Sequence, residues 1–520
     1  MPLSGHFFPG RGRYQLFFGP WTGGIVLKSA YEKLCTRYAR LGNLNGAAAV
    51  LNWDAAAMMP SGGAGARAEQ VATLALLNHE LLCAPEMAEL LEQAETQKLS
   101  LWDSANLREM RLMWHHATAL PGDLVAAMSK AGSACEMIWR SARETNNFAA
   151  LQPFLDEVVD LTRQAAIAKG EAFGCAPYDA LLSQYEPGLR STDVDRHFDI
   201  LVDFLPDLLD RILEIQTEPP PATYRISVAI QERLSRQLLD AIGFDFEHGR
   251  LDVSLHPFTG GVADDVRLTT RYDEADPLRS LFPVLHEGGH AMYERGLPKD
   301  WRLQPVGQAM GMAMHESQSL LVEMQICRGD AFLGFMASLL ADTGGVSGPA
   351  WEPPGLARRV QHVTQSLIRV EADEVTYPLH IIHRYRLEKA LLCDELMTAD
   401  LPGAWHDGMK QLIGIDVPND RDGCMQDIHW MDGAFGYFPT YTLGAMAAAQ
   451  IYRAAELALP DLTKQLGQGD FCDLMNWLAV NVHALGRFHA STDDLLRALT
   501  GAPLDGAIFR EHLEKRYLAR

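Results

Sequence analysis

No two cysteines in this chain stand in a CxxC spacing, and the eight present are scattered from Cys35 to Cys472. That excludes a disulfide framework or a cysteine-held metal cluster as the organising feature, and it fits a reducing, cytoplasmic setting. Also missing is any apolar run of the roughly 18 residues that a bilayer span requires. Positive charge is in deficit: 45 Lys and Arg face 67 Asp and Glu, a net charge of −22. A surface of that sign repels phosphate backbones and anionic lipid, so neither nucleic acid nor a membrane is an expected partner. A local basic pocket can survive on an acidic protein, so small ligands and peptides stay open. Internal repeats and long low-complexity tracts are absent, and strand signals are few.

What is present is an ordinary globular composition, 48% hydrophobic and 22% charged, in 520 residues, more than one core requires. In residues 1–28, Gly19, Pro20, Gly23 and Gly24 interrupt the apolar residues around Phe17 and Trp21. A signal peptide needs an unbroken apolar centre, so this segment reads as an irregular extension. Beyond it, apolar residues recur every three or four positions. In 193–216 they are Phe198, Leu201, Val202, Leu205, Leu208, Leu209 and Ile212, one helix face. Thr192 and Asp195 suit a capping box there, and Pro206 predicts a kink or two shorter helices. Similar patterns run through 66–96, 104–130, 147–169, 313–341, 358–394 and 442–458, with breaks at 217–222 and 342–355. Strand-like alternation is confined to 251–272, where Val253 and Leu255, a Gly260-Gly261 turn, then Val266 and Leu268 predict a small hairpin or sheet edge. The expected fold class is mainly α with a minor β element.

Residues 286–290 read His-Glu-Gly-Gly-His, an HExxH pattern. On a helix, residues four apart share one face, so His286 and His290 can reach one metal ion, with Glu287 placed to act as base on a bound water. The context is helical: Asp276-Pro277 suits a start, Leu278, Phe282, Leu285, Gly289 and Met292 form an apolar stripe, and Gly296 suits a stop. Gly288 and Gly289 each cost about 1 kcal/mol against Ala inside a helix, and Pro283 adds a kink. Close approach of another backbone or of a substrate would explain the glycines. A catalytic zinc needs a third protein ligand. Glu294 lies one turn beyond His290; Glu316, 26 residues beyond it in Met314-His-Glu-Ser-Gln-Ser319, is the alternative on a second helix.

Read block by block, the chain resembles the carboxypeptidase Taq family of metallocarboxypeptidases. His256-Pro-Phe258, Asp265-Val-Arg267-Leu-Thr269, His286–His290, His315-Glu316-Ser317, Ile368-Arg369-Val-Glu-Ala372-Asp373 and Gly423-Cys-Met-Gln426-Asp427-Ile-His429-Trp430 stand in the family's order. Trp53-Asp54, Met59–Gln70 and Gln184-Tyr-Glu-Pro-Gly188 add to the match, which spans residues 29 to the C-terminus. The resemblance implies a two-lobed helical saddle with a deep central groove, in which 29–520 form a single catalytic domain. It implies removal of single residues from peptide C-termini, with broad specificity and poor cleavage next to proline. Zn2+ would be the metal, with Co2+ able to substitute. Glu316 would be the third ligand, and the protein would be a homodimer.

A carboxypeptidase must hold a free α-carboxylate, for which Arg offers a planar fork. Arg369 and Arg267 are the candidates, each with an acid nearby in sequence that could claim it instead. His256, His429 and Tyr437 are candidates for substrate contact or oxyanion stabilisation. Gln426 and Asp427 could orient the histidines. Two rival readings are an HExxH oligopeptidase or aminopeptidase, and a non-catalytic helical scaffold that binds peptides.

Overall fold

The computed structural model describes residues 28–519 apart from Thr223, so the extension at 1–28 lies almost wholly outside the described residues. Within them the chain forms twenty α-helices and one three-stranded sheet, the mainly α architecture with a minor β element that the sequence predicts. Local chemistry starts the first helix. Ser29 accepts the Glu32 amide (3.2 Å) and its own amide donates to the Glu32 carboxylate (2.7 Å), so two orphan donors of Ala30–Ala57 are satisfied.

The helix expected at 193–216 runs unbroken from Ser191 to Ile215, through Pro206. Interior proline costs about 3 kcal/mol. Phe198, Leu201, Phe204, Leu205, Leu208, Leu209 and Ile212 are all buried on one face, each contributing roughly 1.5–3 kcal/mol, so burial holds both halves in line. The predicted Thr192–Asp195 capping box does not form. The Ser191 amide bonds instead to Asp179 (2.7 Å), and Asp195 is taken by Tyr385 (2.7 Å) and Lys389 (2.8 Å).

Other predicted helices are shorter than their periodicity suggested. The 66–96 pattern is two helices, Ala64–Leu82 and Glu86–Glu95, and 104–130 divides between Leu101–Thr118 and Gly122–Thr145 at Pro121. The 358–394 pattern is interrupted: Pro353–Val360 ends, and α-helix resumes only at Tyr377–Leu392, with a single 3-10 turn, Arg369–Glu371, between. Between them buried Asp373 accepts the amides of Thr364, Val375 and Thr376, and Gln426 accepts that of Arg369, so side chains satisfy a backbone that does not coil.

The sheet differs from a simple hairpin. Strand β3 (Asp265–Thr270) is central, β2 (Thr259–Val262) pairs antiparallel to it, and β1 (Gly249–Val253) pairs parallel on its other side. Gly260 and Gly261 lie inside β2, and the turn falls after Val262. Gly261 has φ +89, and a Cβ there would sit 2.1 Å from the Asp265 carbonyl oxygen, so glycine is required.

Two large hydrophobic clusters fill the interior. One is built on Phe198, Leu205, Leu379, Trp405 and Phe438; the other on Leu239, Leu285, Leu321, Phe332 and Leu474. Helix Pro439–Ala458 belongs to both: Leu443 and Met446 pack in the first, Ala447 and Ile451 in the second. The helix beneath it, Met312–Leu320, is likewise shared, Ala313 with the first and Met314 with the second. The HExxH helix, Leu278–Gly296, lies between β3 and Met312–Leu320.

Candidate metal centre

The two motif glycines have separate reasons. A Cβ on Gly289 would stand 2.6 Å from the Gln318 carbonyl oxygen and 2.7 Å from Ser319 Cα, so here the motif helix touches the backbone of Met312–Leu320. A Cβ on Gly288 would meet the Ile242 side chain at 2.5 Å. Across the same seam, a Cβ on Gly444 of helix Pro439–Ala458 would come within 3.0 Å of Glu316 Cβ. Small residues on both sides thus bring Glu316 down onto the motif helix.

The result is a convergent donor set. Glu316 Oε2 lies 3.3 Å from His290 Nε2 and 3.9 Å from His286 Nε2. Ligand atoms of His286, His290 and Glu316 all fall within 4.8 Å of one another, the one such trio of His, Cys, Asp or Glu among the described residues. Two imidazoles and a carboxylate at that spacing suit a divalent metal that accepts N and O ligands. Glu294, the other candidate third ligand, is turned aside: it pairs with His315 (2.9 Å), whose ring stacks on His290 at 4.4 Å.

Charge around the trio is balanced within it. Burial lowers the pKa of His286, but Glu316, Glu323 and Glu287 raise it, to about 10. Burial raises that of Glu316, yet His286, His290 and His315 hold it at about 2. His286 Nδ1 is 3.0 Å from Glu323, which also accepts from Arg328 (2.8 Å). That contact turns His286 Nε2 toward Glu316. Glu323 lies in a π-helical turn, Leu321–Cys327, a local widening frequent at functional sites. Glu287 is buried, and Thr259 of β2 donates to its Oε2 at 2.7 Å.

Arg369 is buried between Asp427 and a group of aromatic rings. Its Nε and Nη2 donate to Asp427 Oδ1 (3.0 and 2.8 Å), and Nη1 donates to the Tyr377 hydroxyl (3.0 Å). Its guanidinium lies 5.2 Å over the Tyr441 ring. Burial above all pushes the hydroxyl pKa values of Tyr377, Tyr437 and Tyr441 up. His429 Nε2 is 3.4 Å from the Tyr441 hydroxyl; burial, with Arg369 and Arg384 against the pull of Asp427, lowers its pKa to about 4, so it is neutral.

The remaining candidates are placed differently. Arg267 forms a two-nitrogen pair with Asp265 (2.6 and 3.0 Å) and stacks 4.4 Å over Trp53, tying the first helix to the sheet. Its sequence neighbour claimed it. His256 is exposed in the loop between β1 and β2, and among the described residues its ring makes no hydrogen bond. Gln426 and Asp427 contact Arg369 rather than a histidine ring. Sequence reasoning missed Thr259, Glu323, Arg384 and Gly444. Only Gly444, inside Thr442-Leu-Gly-Ala-Met-Ala447, left a trace, as a small residue in a helix.

A family model described as carboxypeptidase Taq (M32) metallopeptidase matches residues 33–517. The chain belongs to this family. It is a metallocarboxypeptidase, a hydrolase acting on peptides, and the family implies a divalent metal. Among similar proteins, thermostable carboxypeptidase 1 of Thermus thermophilus is 39% identical over 511 residues, covering 95% of this chain and 99% of that one. Carboxypeptidase 1 of Bacillus subtilis is 31% identical over 487 residues, covering 92% and 96%. Metallocarboxypeptidase 1 of Trypanosoma cruzi superposes with a TM-score of 0.92 at 37% identity, covering 94% and 99%. The M32 carboxypeptidase of Deinococcus radiodurans gives 0.89 at 33%, covering 94% and 98%. Among the described residues no helix of this M32 protein is long and apolar enough to cross a membrane.

Proposed function

We propose that this M32 enzyme removes single residues from free peptide C-termini with His286, His290 and Glu316 as ligands of a zinc ion, for which Co2+ can substitute. The observation that carries the reading is the trio itself: three donor atoms within 4.8 Å, beside a buried Glu287 whose carboxylate is already held by Thr259. When bound, the metal supplies Lewis-acid activation of water and of the scissile carbonyl. Glu287 takes the proton of the attacking water at its free carboxylate oxygen and returns it to the leaving amine. Glu323 keeps His286 oriented through Nδ1. Arg369 receives the substrate α-carboxylate. Neutral His429, Tyr437, His256 and Arg267 line the peptide's path, Arg267 in a lesser part because Asp265 occupies it.

Broad side-chain specificity, discrimination against proline, a cytoplasmic location and a homodimer belong to the same proposal. So does the arrangement of 29–520 as one catalytic domain of two lobes around a groove. A mass-spectrometric time course on one peptide, with free and amidated C-termini side by side, tests the activity. A ladder shortening by one residue from the free C-terminus, absent from the amide, is expected. Internal cleavage, or trimming from the amino end, would move the assignment to an oligopeptidase or aminopeptidase.

A further inference from the structure

Arg384 is fully buried in helix Tyr377–Leu392, and no motif contains it. Its Nε donates to Asp427 Oδ2 (2.6 Å) and its Nη1 to the His380 carbonyl oxygen (2.9 Å), while Nη2 has no partner among the described residues. Asp427 therefore divides itself: Oδ1 serves Arg369 and Oδ2 serves Arg384. Two guanidiniums face one carboxylate. The histidines beside them add no charge, and the nearby acids bond to other donors. His380 and His429 are held neutral by burial and by the arginines themselves. Asp373 is engaged by backbone amides, and Glu388, one turn beyond Arg384, by Tyr178, Trp430 and the Gly436 amide.

Charge counting gives the consequence, and donor counting shows what Arg369 has to offer. A guanidinium has five N–H groups. Arg369 commits one from Nε, one from Nη2 and one from Nη1, which leaves one on each Nη nitrogen. Without Arg384, Asp427 and Arg369 would form a one-to-one pair, neutral as a unit, with the same two N–H groups free but no net positive charge behind them.

We infer that Arg384 is a positioning residue for substrate binding: by placing a second guanidinium on Asp427 Oδ2 it keeps the Arg369–Asp427–Arg384 cluster net positive, ready for an α-carboxylate. The inference rests on Arg369 as the carboxylate anchor. Charge balance, rather than contact with the peptide, is what Arg384 contributes.

The test is steady-state kinetics of the zinc-loaded enzyme on a short peptide with a free C-terminus, with metal content and melting temperature measured on each variant. Arg384→Met should raise KM about tenfold and leave kcat within about threefold, since binding of a ground-state group is what is lost. Adding Asp427→Asn to Arg384→Met should bring KM back toward the parent value, because the acid that would neutralise Arg369 is gone. Arg384→Lys, a point charge in place of a fork, should raise KM only about threefold. If Arg384→Met does not fold, Arg384→Lys carries the test alone. An unchanged KM in whichever single variant folds, a kcat that falls by more than about threefold as KM rises, or a double variant worse than Arg384→Met would each overturn the inference. Arg369→Ala separates the two layers. If it leaves KM unchanged, the anchor assignment fails; if it raises KM while the Arg384 variants do not, only the role of Arg384 fails.

Discussion

The proposal gives Glu287 and Glu316 separable duties, and substitution can tell them apart. Glu287→Gln keeps shape and the Thr259 contact but removes the proton acceptor. Metal content should stay at the parent level while kcat falls by roughly 10²–10⁴, the usual worth of general acid–base catalysis. Glu316→Ala should instead weaken metal binding itself, read by competition with a chelator; unchanged affinity would return Glu294 to consideration. Glu323→Gln leaves all three donor atoms in place and disturbs the carboxylate that His286 shares with Arg328. Metal affinity should drop about 10–100-fold, the typical cost of losing such a supporting contact. At this scale much was legible. The HExxH spacing is visible in one dimension because a helix repeats, whereas Glu316, on another helix, is set above Glu294 only through the family resemblance. Glu323 was not: a π-helical turn aims it, and nothing in Leu-Val-Glu-Met-Gln announces that widening.

At the scale of elements, three helices meet through glycines, and the meeting sets the site. Gly289→Ala would raise helix propensity by about 1 kcal/mol. It would also drive a methyl to 2.6 Å from the Gln318 carbonyl oxygen, and overpacking of that kind typically costs about 1–3 kcal/mol. The second effect wins, so a lower melting temperature together with weaker metal binding is expected; a more stable variant would disprove the close approach. The glycine pair was readable as an anomaly, and its cause was readable only as a choice between backbone and substrate. Periodicity located the helices but not their ends. Pro206 looked like a breaker and is overridden by burial on both sides of it. The 358–394 pattern looked continuous and is opened by Asp373 and Gln426, whose capture of amides has no sequence period.

At the scale of the molecule, buried acids add a pH dependence. Burial raises Glu388, against the donors Tyr178, Trp430 and Gly436 that lower it, to about 7. The folded state therefore holds a proton that the unfolded state releases near its ordinary value of 4.5, so this group's contribution to stability falls as pH rises through that window to about 7. Glu388→Gln removes the titration. Whatever constant offset the swap brings, the variant should gain on the parent, in melting temperature, between about pH 5 and pH 8. A difference independent of pH would mean that Glu388 does not take up a proton on folding.

Helix Pro439–Ala458 lies in both hydrophobic clusters and presses Gly444 against Glu316. A chelated ion at that place is a rivet through a joint. Anything that lets one half of the interior creep against the other, such as heat, denaturant or a distant cavity, loosens Glu316 from the two histidines first. Loss of the ion should then precede loss of helix during slow unfolding, and a metal indicator would report mechanical slack well before circular dichroism does.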